Sequence, residues 1–197
     1  MDSARTTFCA WLAALCVLLA GDVHAADLLR DVDEAYARRG VERPVLDTRS
    51  LDPAEGRFLE ELFSLTDEAV LLNTEAMRWF VSGGERGLHP AVHLERIDGV
   101  RERLGALETP ERVASVKALL VECLGLQRGF VADWSEALAE GRPFESQLTH
   151  EYAYHEGLHR SQRQLLKAYA ELRALFPDAG AAAHAAFRTH LRAVNIP

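Results

Sequence analysis

The sequence predicts an all-α fold, an up-and-down antiparallel bundle of four main helices with short N- and C-terminal helices. Three observations carry that expectation. The residue vocabulary is helix-forming: Ala occurs 30 times and Leu 29 times among 197 residues, Ile only twice, a usage that favours helix over strand. Apolar residues recur at three-and-four spacing over long stretches, and no alternating apolar–polar run marks a strand. Proline opens successive segments at 53, 90, 110 and 143, in the first helical turn, where a missing backbone N–H costs nothing.

The elements follow in order. Asp27 to Arg39 is a short amphipathic segment stopped by Gly40, and Val41 to Ser50 is a connector. Asp52-Pro53-Ala54-Glu55 reads as a helix start, with Asp at the cap and Glu three positions on. That helix runs to Val81 and stops in Ser82-Gly83-Gly84. Pro90 opens the third helix, to Leu107, and Thr109-Pro110-Glu111 opens the fourth, which ends near Gly141. Pro143 opens the fifth, which reaches Phe176, and Gly180 to Ala193 forms an Ala-rich tail. In the fourth helix Val113, Val116, Leu120, Cys123, Gln127, Phe130 and Trp134 make an apolar stripe. In the fifth, Leu148, Glu151, His155, Leu158, Gln162, Leu165, Tyr169, Leu172 and Phe176 do the same. Short turns between these helices favour antiparallel neighbours.

The first 25 residues read as an address. Arg5 precedes a 13-residue uncharged run, Phe8 to Ala20, and Val23 and Ala25 form a small-residue exit. This is the pattern of a secretory signal peptide cut after Ala25, and the run is short of the ~20 residues a membrane span needs. Residues 26–197 are then one domain, exported and soluble, periplasmic or alternatively extracellular, without a membrane span once the signal is removed. Cys123 is the only cysteine in it, so no intrachain disulfide is available, and its apolar setting reads as a buried small hydrophobe. A net charge of −8 excludes a nucleic-acid binder held by a basic surface. The protein partner, if any, is not named by the sequence.

Polar residues on the inner stripe are the chemical lead. Glu151, His155 and His159 fall at i, i+4 and i+8 of the fifth helix, and burying them demands pairing or a metal. His89 and His93 open the third helix at the same spacing. Counting rise per residue from the turn near Thr109 sets the top of the third helix level with Gln127 to Phe130 and with residues 153–157. Gly125, Gly129 and Gly157 gather at that level, as close helix contact or room for a ligand would require. His93, Glu151, His155 and His159, with His89 as a further possibility, are therefore the candidate ligands of one divalent transition metal: zinc, copper or iron. The competing expectation is a hydrogen-bonded polar layer of His with Glu and Gln127 or Gln162, in a non-catalytic periplasmic interaction or structural protein. His184 and His190, on the Ala-rich tail, read as surface residues. C-x-x-C-H is absent, which excludes a c-type haem.

His155-Glu156-Gly157-Leu158-His159 matches H-E-x-x-H, which resembles the helix of zincin metallopeptidases. That resemblance implies zinc on His155 and His159 and Glu156 as general base. It covers five residues, and no strand is evident to align a peptide. Enzymatic activity thus stays open from sequence.

Overall fold

The computed structural model describes residues 30–141 and 155–196, all of the regular structure among them being helical. The predicted signal, residues 1–25, and Glu151 lie outside the described residues. Helical residues 30–38 (α1) are followed by α2 (Pro53–Val81), α3 (Pro90–Ala106), a 3-10 turn (Glu111–Val113), α4 (Ala114–Ala139), α5 (Glu156–Leu175) and α6 (Gly180–Val194).

Local chemistry explains the boundaries. Asp52 caps α2, its side chain accepting from the Ala54 and Glu55 amides, with Pro53 in the first turn. Glu55 does not reach back to the cap; it pairs with Arg112 at 3.1 Å. His89 caps α3 by accepting from the Ala91 amide at 3.2 Å. Gly87, at φ +94, lets the α2–α3 connection lie against the α2 backbone: a Cβ there would meet Glu75 O at 2.3 Å.

The helices pair in a closed order: α2 with α3, α3 with α4, α4 with α5, α5 with α6, and α6 back onto α2. Glu68–Arg103 and Asn73–His93 contacts run α3 antiparallel to α2. Asp98–Arg128 and Gly105–Lys117 do so for α3 and α4. Asp133–His155, Glu122–Arg160 and Ser115–Glu171 do so for α4 and α5. Phe63–Phe187, Asp67–His190 and Asn73–Val194 instead make α6 parallel to α2. Five helices alternating in direction cannot close without one parallel pair. The expected short C-terminal helix is thus a full member of the core. Its Ala-rich sequence hides a stripe of Ala183, Phe187, His190, Leu191 and Val194, all buried. The reading of His190 as a surface residue is corrected: its side chain is 4% exposed.

The main core joins Tyr36, Leu59, Leu62, Ile97, Leu104, Leu120, Leu124, Leu172 and Phe187. Each fully buried side chain of this size contributes about 1.5–3 kcal/mol. A smaller aromatic cluster, with Phe80 stacked on Trp134 at 3.9 Å, fills the end where α5 begins. The α4 stripe is buried as expected, from Val113 through Trp134. On α5 the stripe runs through Leu158, Ser161, Leu165, Ala168 and Leu172, and Gln162 is exposed. The Ser161 hydroxyl donates to the Leu158 carbonyl at 2.8 Å. A small, self-satisfied hydroxyl is cheaper to bury than a primary amide.

Candidate functional site

The residues singled out from sequence fall in separate settings. His93, on the first turn of α3, is fully buried. Its Nε2 lies 3.0 Å from Asn73 Oδ1, an atom that can only accept, so Nε2 carries the proton. Asn73 Nδ2 donates in turn to Gln127 Oε1 at 2.8 Å and to the Val194 carbonyl at 3.1 Å. One α2 side chain thus ties α3, α4 and the end of α6. Burial, and then the nearby Arg128 guanidinium, push the His93 pKa down to about 4, with Asp98 opposing. The ring is therefore neutral, and its Nδ1, like Gln127 Nε2, is buried without a hydrogen-bond partner among the described residues.

His155 is the N-cap of α5, with an extended backbone (φ −65, ψ 112). The single helix expected to run through it is corrected: α5 begins one residue later. Its ring rests edge-on against Phe130 at 5.0 Å, and its Nε2 lies 3.1 Å from Asp133 Oδ2. His159, four residues on, is exposed on α5, as is Glu156. The two histidines of the H-E-x-x-H string do not both lie within one helix, the arrangement a zincin site uses. His89 spends its Nδ1 as the α3 cap and packs against Trp79 at 5.2 Å.

The level arithmetic places His93 level with Gln127 and His155 level with Phe130; in the structure His93 and Gln127 are joined through Asn73, and the His155 ring rests on Phe130. Lateral order is what separates them. α3 packs on α2 and α4, α5 on α4 and α6, so α4 stands between the two histidine-bearing helices. Among the described residues no group of three or more His, Cys, Asp or Glu side chains is placed to hold a metal ion. Two of the three glycines at this level serve packing, and a Cβ on the third, Gly129, would meet nothing within 4 Å. A Cβ on Gly125 would meet the Arg101 guanidinium at 3.0 Å, and one on Gly157 would meet the His155 ring at 2.9 Å and Leu126 O at 3.3 Å.

A second buried cluster was not anticipated. Tyr36 on α1 donates to Asp67 Oδ1 at 2.6 Å, and His190 Nδ1 lies 2.9 Å from the Tyr36 hydroxyl and 3.1 Å from Asp67 Oδ1. Arg43 closes on Asp67 Oδ2 through Nε and Nη2, both at 2.7 Å. Phe63 stacks on the His190 ring at 4.3 Å. Burial works against ionising Asp67, but hydrogen bonds and charge from His190, Tyr36 and Arg43 outweigh it and hold the carboxyl below its usual range. Burial, then the Asp67 charge, push the Tyr36 phenol far up, so it stays protonated. The four residues are spread over 154 positions of chain, with no local spacing to signal them; the Phe63–Asp67 pair at i, i+4 is the only trace.

Cys123 is fully buried, and desolvation pushes its thiol well above the usual range, the setting of an inert core thiol. No helix among the described residues is long and apolar enough to cross a membrane. Comparison with protein-family models, with characterised proteins and with solved structures finds no match.

Proposed function

We propose that this protein is a non-catalytic helical bundle of the export compartment, acting through its helical surface, with the Asn73–His93–Gln127 layer specifying how its helices pair. The observation that carries the reading is the hydrogen bonding of Asn73 to three other helices at once. A buried, uncharged network of this kind favours one register, because any slip leaves polar atoms without partners. Export rests on the apolar run and small-residue exit before Ala26. The test is elemental analysis and thermal melting of untagged protein, with and without chelator. The expected result is no near-stoichiometric metal and an unchanged melting temperature. Near-stoichiometric metal lost in His155→Leu would overturn the reading. N-terminal sequencing of exported protein should begin at Ala26; a membrane-bound form retaining Met1 to Ala25 would refute the export part.

A second reading, a mononuclear zinc, copper or iron centre on His155 and His159 with Glu151 and without His93, has one specific observation in its favour. Asp133 holds Nε2 of His155 while its Nδ1 is buried without a hydrogen-bond partner, the arrangement in which a carboxylate orients a metal-binding imidazole. The same metal analysis decides between the two.

A further inference from the structure

An open cavity of about 370 Å³ lies over α2. α1 and α3 flank it: α1 is bonded to α2 through Arg39–Thr74 and to α6 through Tyr36–His190, and α3 is the other neighbour of α2. Leu71 and Leu72 of α2 give it an apolar floor. Gly87 and Leu88 close the end nearest Glu75, the Leu88 amide donating to the Glu75 carbonyl at 2.9 Å. Asp31, Glu34 and Arg38, at i, i+3 and i+7 of α1, form one wall, and Arg96 of α3 stands on the other. With Glu75 and Arg78 of α2, the lining holds three carboxylates and three guanidiniums, so it is neutral overall. Four of the six are tied to one another. Arg38 binds Glu34 at 3.3 Å and also Glu75, and Arg78 binds Glu75 at 3.4 Å. The other two, Asp31 and Arg96, carry opposite charges, yet neither makes a hydrogen bond or ion pair with the other or with any described residue.

Such a lining selects by charge pattern rather than by net charge. A lone anion serves Arg96 and faces the carboxylates; a lone cation serves Asp31 and faces the guanidiniums. A molecule with both charges serves both, and because Asp31 and Arg96 stand on opposite sides of α2, its charges must be spaced along a chain. Asp31 and Arg96 are exposed, where a single ion pair contributes little. One ligand that makes both contacts and lays its chain on the apolar floor adds the three contributions. We propose that this cavity binds a small zwitterion whose ammonium and carboxylate are separated by an alkyl or peptide chain. The carboxylate pairs with the Arg96 guanidinium, whose parallel N–H groups suit it. The ammonium pairs with Asp31, and the chain crosses Leu71. The proposal goes beyond the register role of the Asn73 layer and does not depend on it.

The test is calorimetric titration of the purified protein near neutral pH with 5-aminopentanoate and with alanyl-alanine. The controls are norvaline, which holds the same atoms as 5-aminopentanoate with its charges adjacent, and pentanoate and pentylamine, which carry one charge each. The methyl resonances of Leu71 and Leu88 are followed in parallel. At least one of the two spaced zwitterions should bind and shift those methyls, and the three controls should bind at least about tenfold more weakly. Asp31→Asn and Arg96→Gln, both at exposed positions, should each weaken zwitterion binding by about tenfold. Tighter binding of 5-aminopentanoate identifies amino acids with spaced charges as the ligand, and tighter binding of alanyl-alanine short peptides. Binding of neither, equal binding of norvaline, pentanoate or pentylamine, or zwitterion affinity unchanged in both variants would overturn the proposal.

Discussion

Asp67 and Asn73 stand less than two turns apart on α2, and each anchors a buried polar cluster that reaches α6. The Asn73 cluster is neutral and built from amides and an uncharged imidazole. Its members lie in the interior of the bundle, and its bonds join helices to one another. The Asp67 cluster is charged, gathers Tyr36, His190 and the Arg43 guanidinium onto one carboxylate, and ties the first described helix and the Arg43 connector to the bundle. The contrast separates two uses of buried polarity. A neutral network sets register at a smaller desolvation cost than a charged one. A charged one holds a peripheral segment firmly, and leaves an expensive group behind when any member is lost.

The largest effect should come from breaking the charged cluster. Asp67→Asn removes the buried carboxylate shared by Tyr36, His190 and Arg43 and should cost about 3–5 kcal/mol, read by urea unfolding. Protease cleavage near residue 40 should rise in parallel, because α1 loses its anchor. Asn73→Leu comes next, at about 3–4 kcal/mol, since His93 Nε2, Gln127 Oε1 and the Val194 carbonyl lose their donor or acceptor. Adding His93→Leu to that variant should recover part of the loss, because removing both partners is cheaper than stranding one. Greater instability of the double variant would contradict a register role.

Acidification should sharpen the contrast. Unfolded His93 takes a proton near 6.5, whereas the folded ring resists until about 4. Across that window the unfolded chain binds more protons, so stability falls as pH drops from 6.5 to 4, by roughly 3 kcal/mol. His93→Gln should flatten this slope. Asp67 acts lower: its depressed carboxyl contributes fully above about pH 4, and that contribution is lost only as pH falls through its folded value. Asp67→Asn should therefore alter only the more acid limb of the stability curve. The smallest effects belong to the exposed positions on α5. His159→Ala and Glu156→Gln should each shift stability by less than about 1 kcal/mol, and no chelator-sensitive peptide hydrolysis should disappear with Glu156→Gln.

Much of the fold was legible. The Asp52-Pro53 and Pro90 starts, the glycine stop after Val81 and the α4 stripe follow from local rules that act within one turn. That His93 and Gln127 lie at one level was legible because rise per residue converts sequence spacing into height. Height alone cannot say which helices are neighbours, and the intervening α4 keeps the histidines of α3 and α5 on different sides. The break before Glu156 was missed because Tyr152 to Leu158 contains no proline or cap residue to announce it.

What the sequence by itself determined is the helical class, most helix starts and the need to satisfy buried polar groups, because caps, periodicity and desolvation are local properties of the chain. Tertiary structure alone decided that α6 closes the core parallel to α2. It also decided that Asn73 is the hub of the polar layer, and that Tyr36, Asp67, His190 and Arg43 meet. Those contacts join residues up to 154 positions apart, and the free energy that brings them together is that of burying whole helix faces, which no single stretch of sequence contains.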